Sequence, residues 1–257
     1  MNNKTDFKYT EKISMNTNEC DFHGQWKPAS FFRAITDAAS HHSDILGSGT
    51  DAMISNGFFW VFSRAKIKFL RYPRFDEEIT VRTWPRLIQQ KLFFIREAEF
   101  LDEQDNLVAL ATSAWLVVDI EHRSLVPARR LDWMDFPQNP DDFAINEVLE
   151  KLVLPEGGEE CYRRTVAYSA VDMNGHTNNS RYVEAISDSF DFDRYKTQEI
   201  DWMQINFDKE VRPKETMAIN CVELPEQDMF YGLSGNNLSN QSRAFEALVK
   251  FRPRLTN

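Results

Sequence analysis

Polar and apolar residues alternate strictly in Arg64-Ala65-Lys66-Ile67-Lys68-Phe69. That period predicts a strand with one buried and one wet face, closed by Pro73. Upstream the period changes. Phe31, Phe32, Ile35, Ala38, Ala39, Ile45 and Leu46 form a one-face helical stripe, with Pro28 near its start and Gly47 as a stop signal. Residues 8–15 read as a short strand before that helix. Glu78 to Trp84, Lys91 to Leu101 and the long apolar run Leu107 to Ile120 read as further strands, with a polar turn over 102–106. One long helix followed by four or five antiparallel strands is an α+β layer, because the sheet must bury a face and the helix is the nearest cover.

The pattern breaks over 135–158. Asp135-Phe136-Pro137-Gln138-Asn139-Pro140-Asp141-Asp142 is a proline-broken acidic connector, and Pro155-Glu156-Gly157-Gly158 is a second stop. A short helix is predicted between them, over Phe143–Leu152. The chain thus divides into a first module (1–134), a linker (135–158) and a second module (159–257). The second module repeats the first: strand Arg163–Ala170, helix Asn179 to about Tyr195, and strand Glu199–Val211 closed by Pro213. Strands follow at Thr216–Leu224, Met229–Leu233 and Arg243–Phe251, with a hairpin turn at Gly235-Asn236-Asn237. Two such sheets can pair edge to edge, which removes exposed strand edges.

A turn precedes the helix in both halves. Asp21-Phe22-His23-Gly24-Gln25 shares its Asp-x-x-Gly spacing with Asp172-Met173-Asn174-Gly175-His176, and positions 21 and 172 stand 151 apart. The same offset pairs Ala34 with Ala185, Ile35 with Ile186, Thr36 with Ser187 and Asp37 with Asp188. Only the second turn carries a full reactive set. Asp172, Asn174 and His176 alternate, so in an extended segment they project to one side, just ahead of a helix whose first N–H groups can hold an oxyanion. His176 is the natural acid or base near neutral pH. Gln25 holds its place in the first turn and cannot shuttle protons. Glu210, at the end of the strand before Pro213, is a second acid; aligning the closing prolines sets it opposite Leu70. The bland reading is that turn Asp and Asn side chains only bond their own backbone.

Bulk properties narrow the field. The chain has 257 residues, 42% hydrophobic and 27% charged, with 20 Phe, 6 Trp and a net charge of −10. That is a globular composition, and its charge argues against nucleic acid as a partner. Arg64, Lys66, Lys68, Arg71 and Arg74 form a local basic cluster, read either as a solvated strand face or as a landing patch for an acidic partner. The three cysteines lie far apart, no metal-ligand spacing occurs, and no cofactor loop of the Walker or Gly-x-Gly-x-x-Gly type is present. No cofactor and no metal are therefore expected. With no apolar or Arg/Ser-rich leader and no run of eighteen apolar residues, a cytoplasmic protein without a membrane span is expected. No Gly-x-Ser-x-Gly elbow is found, which favours attack by activated water.

Three blocks carry a family resemblance: Trp60 to Pro73 continuing at Ile79–Trp84, Ala111 to Asp119, and the Asp-x-Asn-x-His-x-Asn-Asn-x-x-Tyr run from Asp172 to Tyr182. The chain resembles the acyl-acyl carrier protein thioesterases, known from plant plastids and bacteria. The resemblance implies a double hotdog fold, two long helices each wrapped by an antiparallel sheet. It implies hydrolysis of the thioester between a fatty acyl chain and the phosphopantetheine of acyl carrier protein, with the chain held in the first module. The family's catalytic positions fall on Asp172, Asn174, His176 and Glu210. Plant members carry a Cys after that Glu where this chain has Val211, so a thiol nucleophile there is ruled out. An acyl-CoA thioesterase and a non-catalytic acyl-carrier binding module remain as alternatives, and a homodimer is one open assembly.

Overall fold

The computed structural model describes residues 7–254 except Asp135, Glu156, Asn174 and Glu226. Its first half runs β1 (Tyr9–Ile13), α1 (Pro28–Ile45), α2 (Thr50–Ser55), β2 (Phe58–Phe69), β3 (Ile79–Gln89), β4 (Phe93–Leu101) and β5 (Leu107–Asp119). The second half runs β6 (Glu159–Thr165), α3 (Asn179–Asp188), β7 (Gln198–Phe207), β8 (Thr216–Glu223), β9 (Phe230–Asn237) and β10 (Ser242–Pro253). All strands join one antiparallel sheet in the order β1-β3-β4-β5-β2-β7-β10-β9-β8-β6. Read from its centre, this order repeats itself in mirror sense, β2 answering β7 and β1 answering β6. The seam is the pair β2–β7, from Arg64 opposite Asn206 to Lys68 opposite Trp202. The fold is a double hotdog.

Both long helices lie on the same side of the sheet and pack against each other. The 151-residue offset survives burial: Ala34, Ile35, Ala185 and Ile186 are all buried. One continuous core holds Phe31, Phe32, Phe69 and Phe100 from the first half with Tyr182, Phe245 and Phe251 from the second. Aromatic edge-to-face pairs such as Phe31–Phe100 at 5.1 Å fill it.

Four local expectations change. No helix forms over 143–152. The connector instead lies across the outer face of the sheet, whose side chains take its backbone groups: Ala144 and Ile145 N–H donate to the Glu97 carboxylate, Arg64 donates to the Leu149 carbonyl, and Gln204 to the Glu150 carbonyl. A helix would need those groups for itself. The second long helix stops at Asp188, because Ser189 bonds back to the Ala185 carbonyl and Asp191 caps a separate 3-10 turn over Phe192–Lys196. The Asn236-Asn237 segment belongs to β9, and the hairpin turns over 238–241, with Gln241 at φ 57°. β7 ends at Phe207, so Glu210 sits in the loop beyond the strand.

The basic cluster is not a free patch. Glu147 of the connector bridges Lys66 and Lys68, and Arg71 pairs with Glu77 and with Asp102 at 3.0 Å. Arg64, Lys66, Lys68 and Arg71 thus hold the connector and a neighbouring turn, while Arg74 is exposed. Among the described residues no helix is long and apolar enough to cross a membrane.

Candidate active site

The two Asp-x-x-Gly turns are the same structure twice. Asp21 N–H donates to the Gln25 carbonyl at 2.7 Å, and Asp172 N–H to the His176 carbonyl at 2.9 Å. Gly24 and Gly175 N–H each reach their Asp carbonyl at 3.0 Å, at φ 70° and 77°. In each turn the Asp Oδ1 accepts from the fourth residue on, Gln25 at 3.0 Å and His176 at 3.3 Å. The acid of each turn therefore does the local backbone work expected of a turn Asp, and in the second turn this presents His176.

The sheet brings Glu210 to that imidazole. His176 Nε2 lies 3.1 Å from Glu210 Oε2, both side chains being partly exposed, at 45% and 37%. The loop is held from beneath. Val211 is fully buried; its N–H donates to the Tyr182 hydroxyl at 2.9 Å, and the Thr177 hydroxyl donates to its carbonyl. Both clamping residues belong to the Asp172–Tyr182 run, Thr177 just after His176 and Tyr182 on the inner face of α3. Burial pushes the Tyr182 phenol up, so it stays a hydroxyl. The sequence marks Tyr182 only as the last residue of the family-like run and gives Thr177 no role; the one available signal is a hydroxyl-bearing aromatic on an otherwise apolar helix face. Arg212 was also missed, and its Nε donates to Glu210 Oε1 at 2.9 Å.

The residue opposite Glu210 in the first half is Tyr72, not Leu70. Leu70 and Arg71 N–H share the Val108 carbonyl, as Asp208 and Lys209 N–H share that of Ala244. Arg74 N–H donates to Glu77, as Arg212 N–H does to Glu215. Each of these pairs differs by 138 positions, whereas the two prolines differ by 140. Tyr72 is buried, and its hydroxyl donates to the Ile200 carbonyl at 2.8 Å. The rest of the first turn is occupied as well: Arg254 donates to Gln25 Oε1 and, at 3.3 Å, to Asp21 Oδ2. The first copy thus has a phenol and an amide where the second has a carboxylate and an imidazole, and its acid, Asp21, is paired with Arg254.

A cavity of about 280 Å³ opens beside the second turn. Asp172, Met173, Asn178 and Asn179 border it from the second half, and Trp60, Phe62, Phe94 and Trp115 from the first. His176 and Glu210 are not among its lining residues; Asp172 borders the cavity and its Oδ1 accepts from the His176 N–H. Asn178 caps α3 by accepting from Ser180 N–H at 2.9 Å, and Asn179 opens the helix against the cavity. Asn174 falls outside the described residues. Among the described residues no three His, Cys, Asp or Glu side chains gather as a metal site.

The family model described as Acyl-ACP thioesterase N-terminal domain matches residues 6–129, and that described as Acyl-ACP thioesterase C-terminal domain matches residues 157–247. The chain belongs to the acyl-acyl carrier protein thioesterase family. An oleoyl-acyl carrier protein thioesterase of Coriandrum sativum is 20% identical over 86% of this chain and 63% of its own length. A palmitoyl-acyl carrier protein thioesterase of Gossypium hirsutum is 24% identical over 68% of this chain and 45% of its own. The chain thus spans less than two thirds of both of these curated relatives. Among solved structures, an acyl-ACP thioesterase from Bacteroides thetaiotaomicron superposes with a TM-score of 0.86 at 21% identity, covering 96% of this chain and 98% of that one. The 12:0-ACP thioesterase from Umbellularia californica does so with a TM-score of 0.83 at 16% identity, over 96% and 95%. These likenesses carry the fold.

Proposed function

We propose that this family member hydrolyses fatty acyl thioesters of acyl carrier protein, releasing the free acid and the carrier thiol. The observation that carries the reading is the 3.1 Å pairing of His176 with Glu210 in the second copy alone, next to a cavity walled by first-half aromatics. A water molecule loses its proton to this pair while its oxygen bonds to the thioester carbon. The carbonyl oxygen takes up negative charge, and the Asn179 N–H at the start of α3 can receive it, the next two N–H groups being held by Asn178. The intermediate then breaks its C–S bond, and the sulfur takes the proton back from the pair. Asp172 keeps the imidazole in place through its backbone, and Asn174 orients the carbonyl or the water. In this scheme the module 1–134 holds the acyl chain, the linker 135–158 clamps the outer face, and 159–257 performs the cleavage in a cytoplasmic setting. The outer strands β1 and β6 end the sheet and offer edges for a homodimer, which sedimentation would register as a doubled mass.

The test compares thiol release from acyl carrier protein and from coenzyme A bearing the same acyl chain. Expected is faster turnover of the carrier substrate, with His176→Ala and Glu210→Gln each lowering kcat by about 10²–10⁴-fold at unchanged melting temperature. Faster turnover of the coenzyme A substrate would reassign the carrier. A folded His176→Ala protein working at the parental rate would remove the proposed chemistry, and carrier retention without any thiol release would make the chain a binding module.

A further inference from the structure

Arg96 is out of place in a pocket for a hydrocarbon. It lies on the inner face of β4 between Phe94 and Ala98, is 5% exposed, and borders the same cavity as Asp172. Such burial of a cation is normally matched by a carboxylate. Here the described hydrogen-bond partners are neutral: His42 Nδ1 at 2.9 Å and Ser43 Oγ at 3.5 Å, both on the last turns of α1. Burial, and then Arg96 itself, pushes the His42 imidazole down to about 4, so it carries no charge near neutrality. Burial alone pushes the Arg96 guanidinium down to about 10. The adjacent Glu97 points to the other face, where it holds the connector. Asp37 also borders the cavity; burial, ahead of any neighbouring charge, pushes its carboxyl up, and among the described ion pairs none joins it to Arg96. Two hydrogen bonds leave donors of the guanidinium fork over. The wall around Arg96 continues this polarity with Ser40, Ser43, Ser48 and Thr50, facing the aromatic wall of Trp60 and Trp115.

We infer that the cavity takes an acyl chain bearing a hydrogen-bond-accepting oxygen remote from the thioester, a hydroxyl, oxo or carboxylate group, and that Arg96 reads that oxygen. The inference rests on the thioesterase reading above and adds the substrate class. A plain saturated chain would lie against a buried cation and leave its donors without acceptors; an oxygenated chain supplies one. The competing account is that Arg96 only offsets the partial negative charge at the C-terminal end of α1. That account requires indifference to what the chain carries.

The experiment uses the full chain and acyl carrier thioesters of equal backbone length: unsubstituted, hydroxylated, oxo-bearing and carboxyl-terminated. Thiol release gives kcat/KM, and calorimetry on the matching non-hydrolysable pantetheine thioethers gives affinity without turnover. At least one oxygenated chain is expected to exceed the plain chain by about tenfold to a hundredfold in both readouts, the size of one hydrogen bond to a charged group. Which arm responds identifies the oxygen. Arg96→Met is expected to lower kcat/KM and affinity for the responding oxygenated chain by that same factor and so to erase the preference. Equal or better handling of the plain chain by the unaltered protein overturns the inference without needing any variant to fold. If no thioester is cleaved but the thioethers keep the preference, the hydrolase reading falls and the role of Arg96 stands; cleavage without preference does the reverse.

Discussion

Replacing Tyr182 by Phe removes one oxygen from the core and tests how Glu210 is held. That oxygen accepts the Val211 N–H at 2.9 Å, and Val211 is fully buried. Phe leaves this N–H without an acceptor where water cannot reach it, a loss of about 1–3 kcal/mol in stability. The volume is nearly unchanged, so no cavity cost is added. The catalytic effect has a separate origin. Val211 is the neighbour of Glu210, and releasing one of its two clamps lets the carboxylate drift from the imidazole. Misplacement on the order of 1 Å costs about 10²-fold, so kcat should fall by about tenfold to a hundredfold with KM nearly constant. A double-mutant cycle separates the two effects. In a Glu210→Gln background the stability loss should persist, measured by urea denaturation, while the further loss in kcat should shrink to less than about threefold. If Tyr182→Phe lowers kcat by the same factor in both backgrounds, Tyr182 acts on something other than Glu210. If it leaves kcat intact in the parent, the clamp has no catalytic consequence.

Ala in place of Gly24 or Gly175 meets open space but must adopt φ near +70° to +77°, so each variant should lose about 1–2 kcal/mol in thermal or urea denaturation. Only Gly175→Ala should lower kcat, because only that turn sets an imidazole against a carboxylate, His176 on Glu210, whereas His23 of the first turn meets the Tyr195 carbonyl; equal kcat losses would mean that both turns serve turnover. Stability should also depend on acid through His42. The unfolded imidazole binds a proton near pH 6.5, whereas the buried native one resists until about pH 4. The native state is therefore weakened as pH falls across that window, by about 3 kcal/mol in all, and the loss levels off below it. Urea titrations of the parent against His42→Asn should differ by this slope and by nothing above pH 7; a parallel pair of curves would show that His42 is not protected.

Short-range physics made much of the architecture legible in the residues. The stripe from Phe31 to Ala39 and the alternation from Arg64 to Phe69 bury one side each and became the elements their periods require, whereas Ile45, at the end of α1, is 69% exposed. The repeated Asp-x-x-Gly spacing was legible because a turn is built from its own backbone and one nearby carboxylate, and the two turns share three such bonds. His176 and Glu210 were joined in one site by the family resemblance, and their side chains lie 3.1 Å apart. What periodicity could not decide is anything set by a distant partner. The 143–152 segment has helical-looking residues, yet Glu97, Arg64 and Gln204 on the far side of the chain take its backbone groups and pull it flat. Aligning two prolines misplaced Glu210 by two residues relative to the first copy, because the equivalence lies in shared carbonyls on neighbouring strands. The clamp of Thr177 and Tyr182 on Val211 joins positions about thirty apart and exists only after α3 has docked under the loop. Arg96 reads as one more polar residue in a strand until burial shows it bordering a cavity with only His42 and Ser43 as its described side-chain partners. Residue order set where the chain bends and which faces are apolar, because those depend on neighbours along the backbone. Which carboxylate meets which imidazole, and which cation is left inside, was decided by packing, which brings together groups that no local rule connects.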